Sequence, residues 1–184
     1  MMKRLGASAQ NTLSVQNNLA ASYYRLGRLE QAANAFRDVY SGRLELNGEE
    51  HENTLISALN SAATLVELKR FEEAKSRYRK TIPVARRVLG EGHDLTLRMR
   101  WTHAHSLFEG FENDGSRNYD DLHEAITTLQ EIEPIARRVL GGAHPLASAI
   151  GESLRNSRDV EAALRDIGAA LRDLGEEVTN SRAS

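Results

Sequence analysis

The segment Arg70-Phe71-Glu72-Glu73-Ala74 repeats, 42 residues further along the chain, the pattern of Arg28-Leu29-Glu30-Gln31-Ala32. The same step of 42 residues separates the members of three further sets. These sets are Thr12-Leu13, Thr54-Leu55 and Thr96-Leu97; Gly6, Gly48 and Gly90; and Ala20, Ala62 and Ala104. A fixed period of this length is typical of proteins built from stacked supersecondary units, so the period itself predicts a repeat architecture.

The third unit is longer than the others. Val84-Ala85-Arg86-Arg87-Val88-Leu89-Gly90 returns as Ile135-Ala136-Arg137-Arg138-Val139-Leu140-Gly141, which is a step of 51 residues. Asn, Asp, Gly and Ser cluster at 111–121, so we predict an inserted surface loop there, with a secondary contact surface as the alternative. Its aspartates lack the spacing of a calcium loop. They are Asp114, Asp120 and Asp121.

Helix-favouring residues and apolar steps of three and four predict pairs of helices. The first helices of the pairs are expected at 12–26, 53–68, 95–109 and 146–156, the second helices at 29–46, 71–89 and 120–140, and a last helical stretch at 159–177. Left-handed glycines should end helices at Gly27, Gly48, Gly90 and Gly141. His144 should cap the helix that starts at Pro145. Pro83 and Pro134 should kink or interrupt their helices.

The predicted organisation follows the repeats. It comprises 1–10 as the end of a preceding or worn repeat, 11–51 as repeat 1, 52–93 as repeat 2, 94–144 as repeat 3 with the loop 111–121, 145–178 as a degenerate fourth repeat with a capping helix, and 179–184 as a polar, frayed tail. Met2-Lys3-Arg4-Leu5-Gly6 aligns with Arg86–Gly90, which favours a piece of a longer array over a worn first repeat.

Small residues at equivalent places predict where helices approach closely. These are Ala20, Ala32, Ala62, Ala74, Ala104 and Ala125, with Phe36, Tyr78 and Leu129 filling the gaps between layers. A helix pair cannot bury its apolar face alone, so neighbouring repeats must stack. Lys75, next to Ala74, is expected to be exposed.

The composition of the chain excludes several classes of functional site. The chain has 184 residues, a formal net charge of -2 and no cysteine, so disulfides, thiol catalysis and cysteine metal sites are excluded. Nothing points to nucleic acid or a membrane, and the absence of a signal or apolar span predicts a cytoplasmic protein. We expect no cofactor, metal or catalytic residue. His103 and His105, two apart, point to different sides of a helix, and the recurring His51, His93 and His144 are expected to be caps or packing residues.

These segments resemble the tetratricopeptide repeat, in the 42-residue form of kinesin light chain, over roughly residues 5–156. The matching stretches are Asn17-Asn18-Leu19-Ala20, Gly27–Ala32, Arg70–Ala74, Val88-Leu89-Gly90 and His144-Pro145. The resemblance implies an all-α, right-handed α-solenoid of antiparallel helix pairs, and a protein-binding scaffold rather than an enzyme. Lys69 stands where the family has glycine, and the heptad segment that joins kinesin light chains to heavy chains is absent. We therefore infer light-chain-like repeats, not a kinesin subunit.

The resemblance also implies a peptide-binding concave face lined by the first helix of each repeat. Asparagine amides would hold the peptide backbone, since an amide offers a donor and an acceptor together. The expected contact residues are Asn17, Asn18, Tyr24, Arg25, Asn60, Arg98, Trp101, His105 and Phe108. The alternatives are that the asparagines serve only their own helices, and that Trp101 and Phe108 only pack on a neighbouring helix.

The leading hypothesis is a module that binds an extended peptide or partner protein. The alternative is a self-associating or spacer array within a larger multidomain protein, with a homo-oligomer forming through exposed terminal repeats or an attached enzyme domain being regulated. The identity of the partner is not encoded in any motif of the chain.

Overall fold

A computed structural model describes residues 2–113 and 118–182 of the chain. Within them lie seven helices and no strand. The helices are α1 (Met2–Arg25), α2 (Leu29–Asn47), α3 (Glu52–Glu67), α4 (Phe71–Leu89), α5 (Asp94–Asn113), α6 (Tyr119–Leu140) and α7 (Pro145–Arg182). The predicted all-α solenoid of helix pairs is confirmed. None of the helices in the described parts of the chain is both long and apolar enough to cross a membrane.

Each helix packs against the next one along the chain, and α3 also contacts α5, which contacts α7. We call α1, α3, α5 and α7 the A layer. The helices α2, α4 and α6 form the B layer, where side-chain contacts again link consecutive members: the Arg77 guanidinium lies 4.7 Å from the centre of the Tyr40 ring, and Lys75 pairs with Asp121. Two layers of stacked helices are the arrangement expected of a repeat solenoid.

The core lies between the layers. All six predicted close-approach alanines are fully buried: Ala20, Ala32, Ala62, Ala74, Ala104 and Ala125. Phe36, Tyr78 and Leu129 are buried beside them. Small and large side chains thus alternate through the stack, which allows adjacent helices to interdigitate.

The recurring threonines have a shared structural role from the second repeat onward. The Thr54 hydroxyl donates to the carbonyl of Arg43 at 3.2 Å, and the Thr96 hydroxyl donates to the carbonyl of Ala85 at 3.4 Å. Both bonds tie an A helix to the B helix before it. Thr12 is exposed and donates to Ser8 of its own helix. Thr54 and Thr96 therefore each hydrogen-bond one repeat to the repeat before it.

The recurring histidines are caps, as predicted. Each imidazole Nδ1 accepts a hydrogen bond from the backbone N–H two residues later, at the start of an A helix. The bonds are Asn53 N–H to His51 at 3.1 Å, Leu95 N–H to His93 at 3.3 Å and Leu146 N–H to His144 at 3.2 Å. Each satisfies one of the backbone donors that a helix leaves free at its N-terminus.

Helices end where a residue takes a left-handed conformation. The four predicted glycines all have positive φ, with Gly27 at 71°. Lys69, which is one period after Gly27, adopts the same conformation at φ 58° although it carries a side chain. The turn between paired helices therefore imposes this backbone shape, and the second repeat accepts the steric cost of a non-glycine residue there.

Both ends of the array differ from the prediction. Helix α1 runs without a break from Met2 through Gly6, so Gly6 does not end a helix as Gly90 does. Helix α7 is continuous from Pro145 to Arg182, so the expected break near 157–158 is wrong, and the expected frayed tail is helical as far as Arg182; 183–184 lie outside the described residues. No glycine or proline lies between Gly151 and Gly168 to turn the chain.

The expected loop at 111–121 is also wrong over most of its length. Helix α5 extends to Asn113, and Asn118 caps α6 by accepting the Asp120 N–H at 3.1 Å. The expected loop residue Asp114 lies in 114–117, outside the described residues. Phe111 is buried against α6. Helix α5 has 20 residues where α3 has 16, and α6 has 22 where α4 has 19, so seven of the nine extra residues lengthen helices.

Two further expectations are corrected. Pro83 and Pro134 do not interrupt their helices, since α4 and α6 run through them to Leu89 and Leu140. Lys75 is not exposed: it is buried to 8% exposure. Its ammonium lies 2.7 Å from Asp121 of α6 and 3.2 Å from Glu72.

Candidate functional site

A cavity of about 420 Å³ opens between α1 and α3. We call it the N-terminal cavity. Its lining combines apolar surface with an amide, a phenol and a guanidinium: Ala21, Tyr24, Arg25, Phe36, Asn60, Ala63 and Thr64. Three of the residues that the sequence assigns to peptide binding, Tyr24, Arg25 and Asn60, are brought together here. A volume of this size accommodates side chains of a ligand rather than a whole folded domain.

Internal hydrogen bonds orient the polar groups beside this cavity. The Asn60 amide donates to the side-chain oxygen of Asn17 at 3.4 Å, and the Tyr24 hydroxyl donates to Glu67 at 3.1 Å. Burial, together with the carboxylate of Glu67, raises the pKa of Tyr24. Asn18, which like Asn60 is expected to contact the peptide, is exposed and lines neither this cavity nor the next one described. The amide beside Asn60 is therefore that of Asn17.

A second cavity, of about 490 Å³, opens between α5 and α7. We call it the C-terminal cavity. Its lining is aromatic, apolar and acidic: Trp101, Ala104, His105, Phe108, Glu109, Glu112, Leu129, Ala149, Glu152, Ser153, Asn156, Ser157 and Val160. It unites Trp101, His105 and Phe108, which the sequence places on one helix face. Arg98 is not part of it and pairs instead with Asp94 at 2.7 Å.

Trp101 has a packing role and a lining role together. Its indole N–H donates to the Ser153 hydroxyl of α7 at 3.0 Å, and its ring stacks on His105 with centroids 6.2 Å apart. Trp101 and Phe108 pack against the apolar core of the third repeat while remaining half-buried. The alternative that these aromatic residues pack on a neighbouring helix is thus true, and both residues also line the cavity.

The two cavities occupy equivalent places in the repeat. Positions Ala21, Tyr24 and Arg25 of α1 correspond, two periods of 42 residues later, to His105, Phe108 and Glu109 of α5. One period of 42 and one of 51 separate the remaining pairs. These are Phe36 and Leu129, Asn60 and Ser153, Ala63 and Asn156, and Thr64 and Ser157. The same site of the repeat therefore forms twice, on the side of the molecule formed by the A layer.

Charge distinguishes the two sites. Among the described residues, Arg25 is the one charged side chain that lines the N-terminal cavity, whereas Glu109, Glu112 and Glu152 line the C-terminal cavity without a lysine or arginine. The sequence reasoning missed these glutamates and the whole contribution of α7. Helix spacing could have found Glu109 and Glu112, since each follows a named aromatic residue by four positions.

The described residues show no arrangement suited to holding a metal. Among them, no group of three or more His, Asp or Glu side chains converges on one point. His103 is buried away from both cavities, and burial lowers its pKa to about 4, while the nearest carboxylate, Glu124, lies 4.0 Å from Nε2. An imidazole in this setting belongs to the packing between α4, α5 and α6.

Part of the chain matches a known family model, and the fold is similar to that of solved structures. Residues 11–87 match the family model of the tetratricopeptide repeat. The solved structure of BtubC (BKLC) from P. vanneervenii superposes with a TM-score of 0.54 at 16% identity, covering 85% of this chain and 66% of that one. No curated protein sequence matches the chain.

Two structures of nearly identical TPR-like repeats, from a protein assigned as a kinesin light chain in Podosopora anserina, are also similar. One superposes with a TM-score of 0.50 at 17% identity, covering 88% of this chain and 92% of that one. The other, of a variant of that protein with one residue substituted, gives 0.51 at 16% identity, with coverage of 94% and 97%. At these identities the likeness concerns the fold.

Proposed function

We propose that this chain, whose helix pairs are tetratricopeptide repeats of the kinesin-light-chain-like kind, binds an extended segment of another protein along the A layer. Repeats of this family are in general protein–protein interaction modules and typically non-catalytic scaffolds. The particular face and the extended form of the ligand are our proposal.

One observation carries the proposal: the repeat forms the same cavity twice, between α1 and α3 and between α5 and α7. An extended peptide presents side chains at regular intervals, and a repeat array presents pockets at regular intervals. Two pockets of about 420 and 490 Å³ are each large enough for one or two side chains.

The polar groups support backbone recognition at one end and side-chain recognition at the other. Asn60 offers an amide beside the N-terminal cavity, and Trp101 offers a large half-buried ring in the C-terminal cavity. An amide pairs with a peptide group whatever the ligand's side chains are. A buried aromatic ring, in contrast, is the kind of residue that dominates binding energy for a preferred ligand.

The test is a titration of a set of display-selected peptides against the parent, Asn60→Ala and Trp101→Ala. Asn60→Ala should weaken every peptide by a similar factor, about fivefold for a lost hydrogen bond of about 1 kcal/mol. Trp101→Ala should cost about 2 kcal/mol or more for the preferred peptide and little for poor ones. Asn34→Ala, at an exposed position of α2, is the matched control. All variants must melt like the parent.

Unchanged affinity in both variants would show that the A layer is not the binding face. The B layer would then be the surface to test next.

Self-association is the second candidate function, because apolar side chains are exposed on both terminal helices. Val15 and Leu19 of α1 are 68% and 49% exposed, and Ile167 and Leu171 of α7 are 57% and 64% exposed. Sedimentation analysis across a hundredfold range of concentration should then show association that Val15→Glu or Ile167→Glu abolishes. A constant monomer mass would dismiss this candidate.

A further inference from the structure

We infer that the C-terminal cavity selects a basic side chain, an arginine or a lysine, of the segment that binds along the A layer. The inference rests on the proposed function, since it assigns a chemistry to one of the two cavities. It concerns the ligand's side chain and is independent of how the N-terminal cavity holds the backbone.

The first support is a reversal of charge between equivalent positions. Glu109 and Glu112 of α5 stand where Arg25 and Arg28 stand in the first repeat, two periods earlier. Glu152 adds a third carboxylate from α7. Arg25 lines the N-terminal cavity and Arg28 does not, so the second site has three glutamates where the first has one arginine, and this changes the class of side chain that the site attracts.

The second support is that these carboxylates have no cationic partner among the residues whose side chains the structure describes, 8–113 and 118–172. Glu109 accepts a hydrogen bond from the Asn113 amide at 3.1 Å, and no described lysine or arginine lies within ion-pairing distance of Glu109, Glu112 or Glu152. Elsewhere the described surface pairs its acids readily, as Glu73 pairs with Arg70 at 2.6 Å. The cavity therefore carries uncompensated negative charge from its described lining.

The third support is the aromatic surface beside the carboxylates. Arginine and lysine have long apolar stems and a charged head, so they prefer a site that is apolar inside and charged at its mouth. Trp101 and Phe108 offer half-buried ring surface, while Glu112 and Glu152 are exposed. A cation over an indole or phenyl face is attracted by the ring as well. An acidic side chain would meet like charge here.

Random peptide display on the full chain supplies the probe. The strongest selected peptide is then synthesised twice, once as selected and once with its enriched arginine replaced by citrulline, a neutral isostere, or its lysine by norleucine. Binding is followed by the fluorescence of Trp101, which is the chain's single tryptophan and lies in the cavity itself.

We expect arginine or lysine to be enriched at one position of the selected peptides. Replacing it should weaken binding to the parent about tenfold, as is usual for a charge-assisted contact. The triple variant Glu109→Gln, Glu112→Gln, Glu152→Gln should bind both peptides equally.

The control variant neutralises three exposed carboxylates elsewhere. Glu45→Gln, Glu49→Gln and Asp166→Asn change the net charge by the same amount outside the cavity and should preserve the tenfold preference. Loss of the preference in the control as well would mean that the overall charge, not the cavity, selects the ligand, and would overturn the inference.

The outcomes separate this inference from the proposed function. Selected peptides that perturb Trp101 yet contain no enriched basic residue, or bind equally after its neutralisation, overturn the inference and leave the proposed function standing. Enrichment of acidic residues overturns it too. If no peptide binds, or if Trp101 responds only to the protein's own concentration, both the inference and the proposed function fail.

Discussion

The N-terminal and C-terminal cavities are built from equivalent positions of one repeat and differ in almost every side chain. Asn60 donates to Asn17 beside the first cavity, and Trp101 donates to Ser153, at the equivalent pair of positions, beside the second. The hydrogen bond between neighbouring A helices is kept while its chemistry changes. The comparison teaches that the repeat decides where a site forms and that the individual residues decide what the site can bind.

Buried side chains at equivalent positions of the repeats also differ in chemistry. The position that follows the close-approach alanine is buried in all three B helices, and it is Ala33 in α2, Lys75 in α4 and Ile126 in α6. Similarly, Ser61 in α3 corresponds to His103 in α5, and both are buried. The N-terminal half therefore fills these places with small neutral groups, whereas the centre of the array places ionisable groups at Lys75 and His103.

We expect the largest loss of stability from the substitution Asp121→Ala. It removes the nearer of the two carboxylates on the buried Lys75 ammonium, at 2.7 Å, and leaves Glu72 at 3.2 Å, so it should cost about 3 kcal/mol of unfolding free energy. The double variant Lys75→Ala, Asp121→Ala gives α4 the residue found in α2 and should recover much of the loss. Urea denaturation measures both, with the exposed neighbour Asp120→Ala as control. A double variant less stable than Asp121→Ala would show that the charge is not the cause.

The pH dependence of stability should depend on His103. Burial lowers its pKa to about 4 from 6.5, although Glu124 and Asp121 favour the cation, while Arg79 and Lys75 oppose it. Above pH 6.5 the residue is neutral in both the folded and unfolded chain. Between pH 6.5 and 4 the unfolded chain binds the proton first, so up to about 3 kcal/mol of stability is lost as pH falls through this range.

Urea denaturation at about pH 7, 6, 5 and 4 spans this titration and checks the expectation. His103→Gln should flatten the decline, whatever its stability at neutral pH, and His105→Gln, at an exposed position, should not. An equal decline in the parent and in His103→Gln would place the acid sensitivity in other groups.

Larger side chains at the buried alanines should show that repeats 1 and 2 are equally tightly packed. Ala32→Leu and Ala74→Leu each insert three carbons at a fully buried position and should cost about 1 to 3 kcal/mol, by a similar amount in each repeat. Ser76→Leu, exposed on α4, should be close to neutral. Thermal melting distinguishes them. Tolerance at Ala32 with damage at Ala74 would mean that only the centre of the array is tightly packed.

Lys69→Gly should give the smallest effect, and a favourable one. Lys69 has φ 58°, close to the 71° of Gly27 at the equivalent turn, so glycine should relieve backbone strain and stabilise the fold by about 0.5 to 1 kcal/mol. Lys69→Ala keeps the strain and serves as the control, since both variants lose the contact of 3.5 Å between the Lys69 ammonium and Asn113. Equal melting temperatures for the two variants would show that the turn is unstrained.

The site could be predicted in part from the sequence. Tyr24, Arg25 and Asn60 were assigned to one face and meet in one cavity, because Tyr24 and Arg25 lie three and four residues after Ala21, which also lines it, and the repeat copies that side into the next A helix. Arg98 has the right spacing but pairs with Asp94, which removes it from the cavity. Peptide contact by these residues remains a prediction.

The sequence by itself determined the period, the helix pairs, the buried alanines, the left-handed glycines and the histidine caps, because each depends on residues close together in the chain or on a spacing that every repeat copies. Only the tertiary structure decided that α7 continues unbroken to Arg182, that Lys75 is buried against Asp121, and that Glu152 and Ser153 complete a cavity with Trp101. Each of these depends on which side chain lies opposite across a helix interface. Local spacing fixes the direction in which a residue points, and packing fixes what it meets.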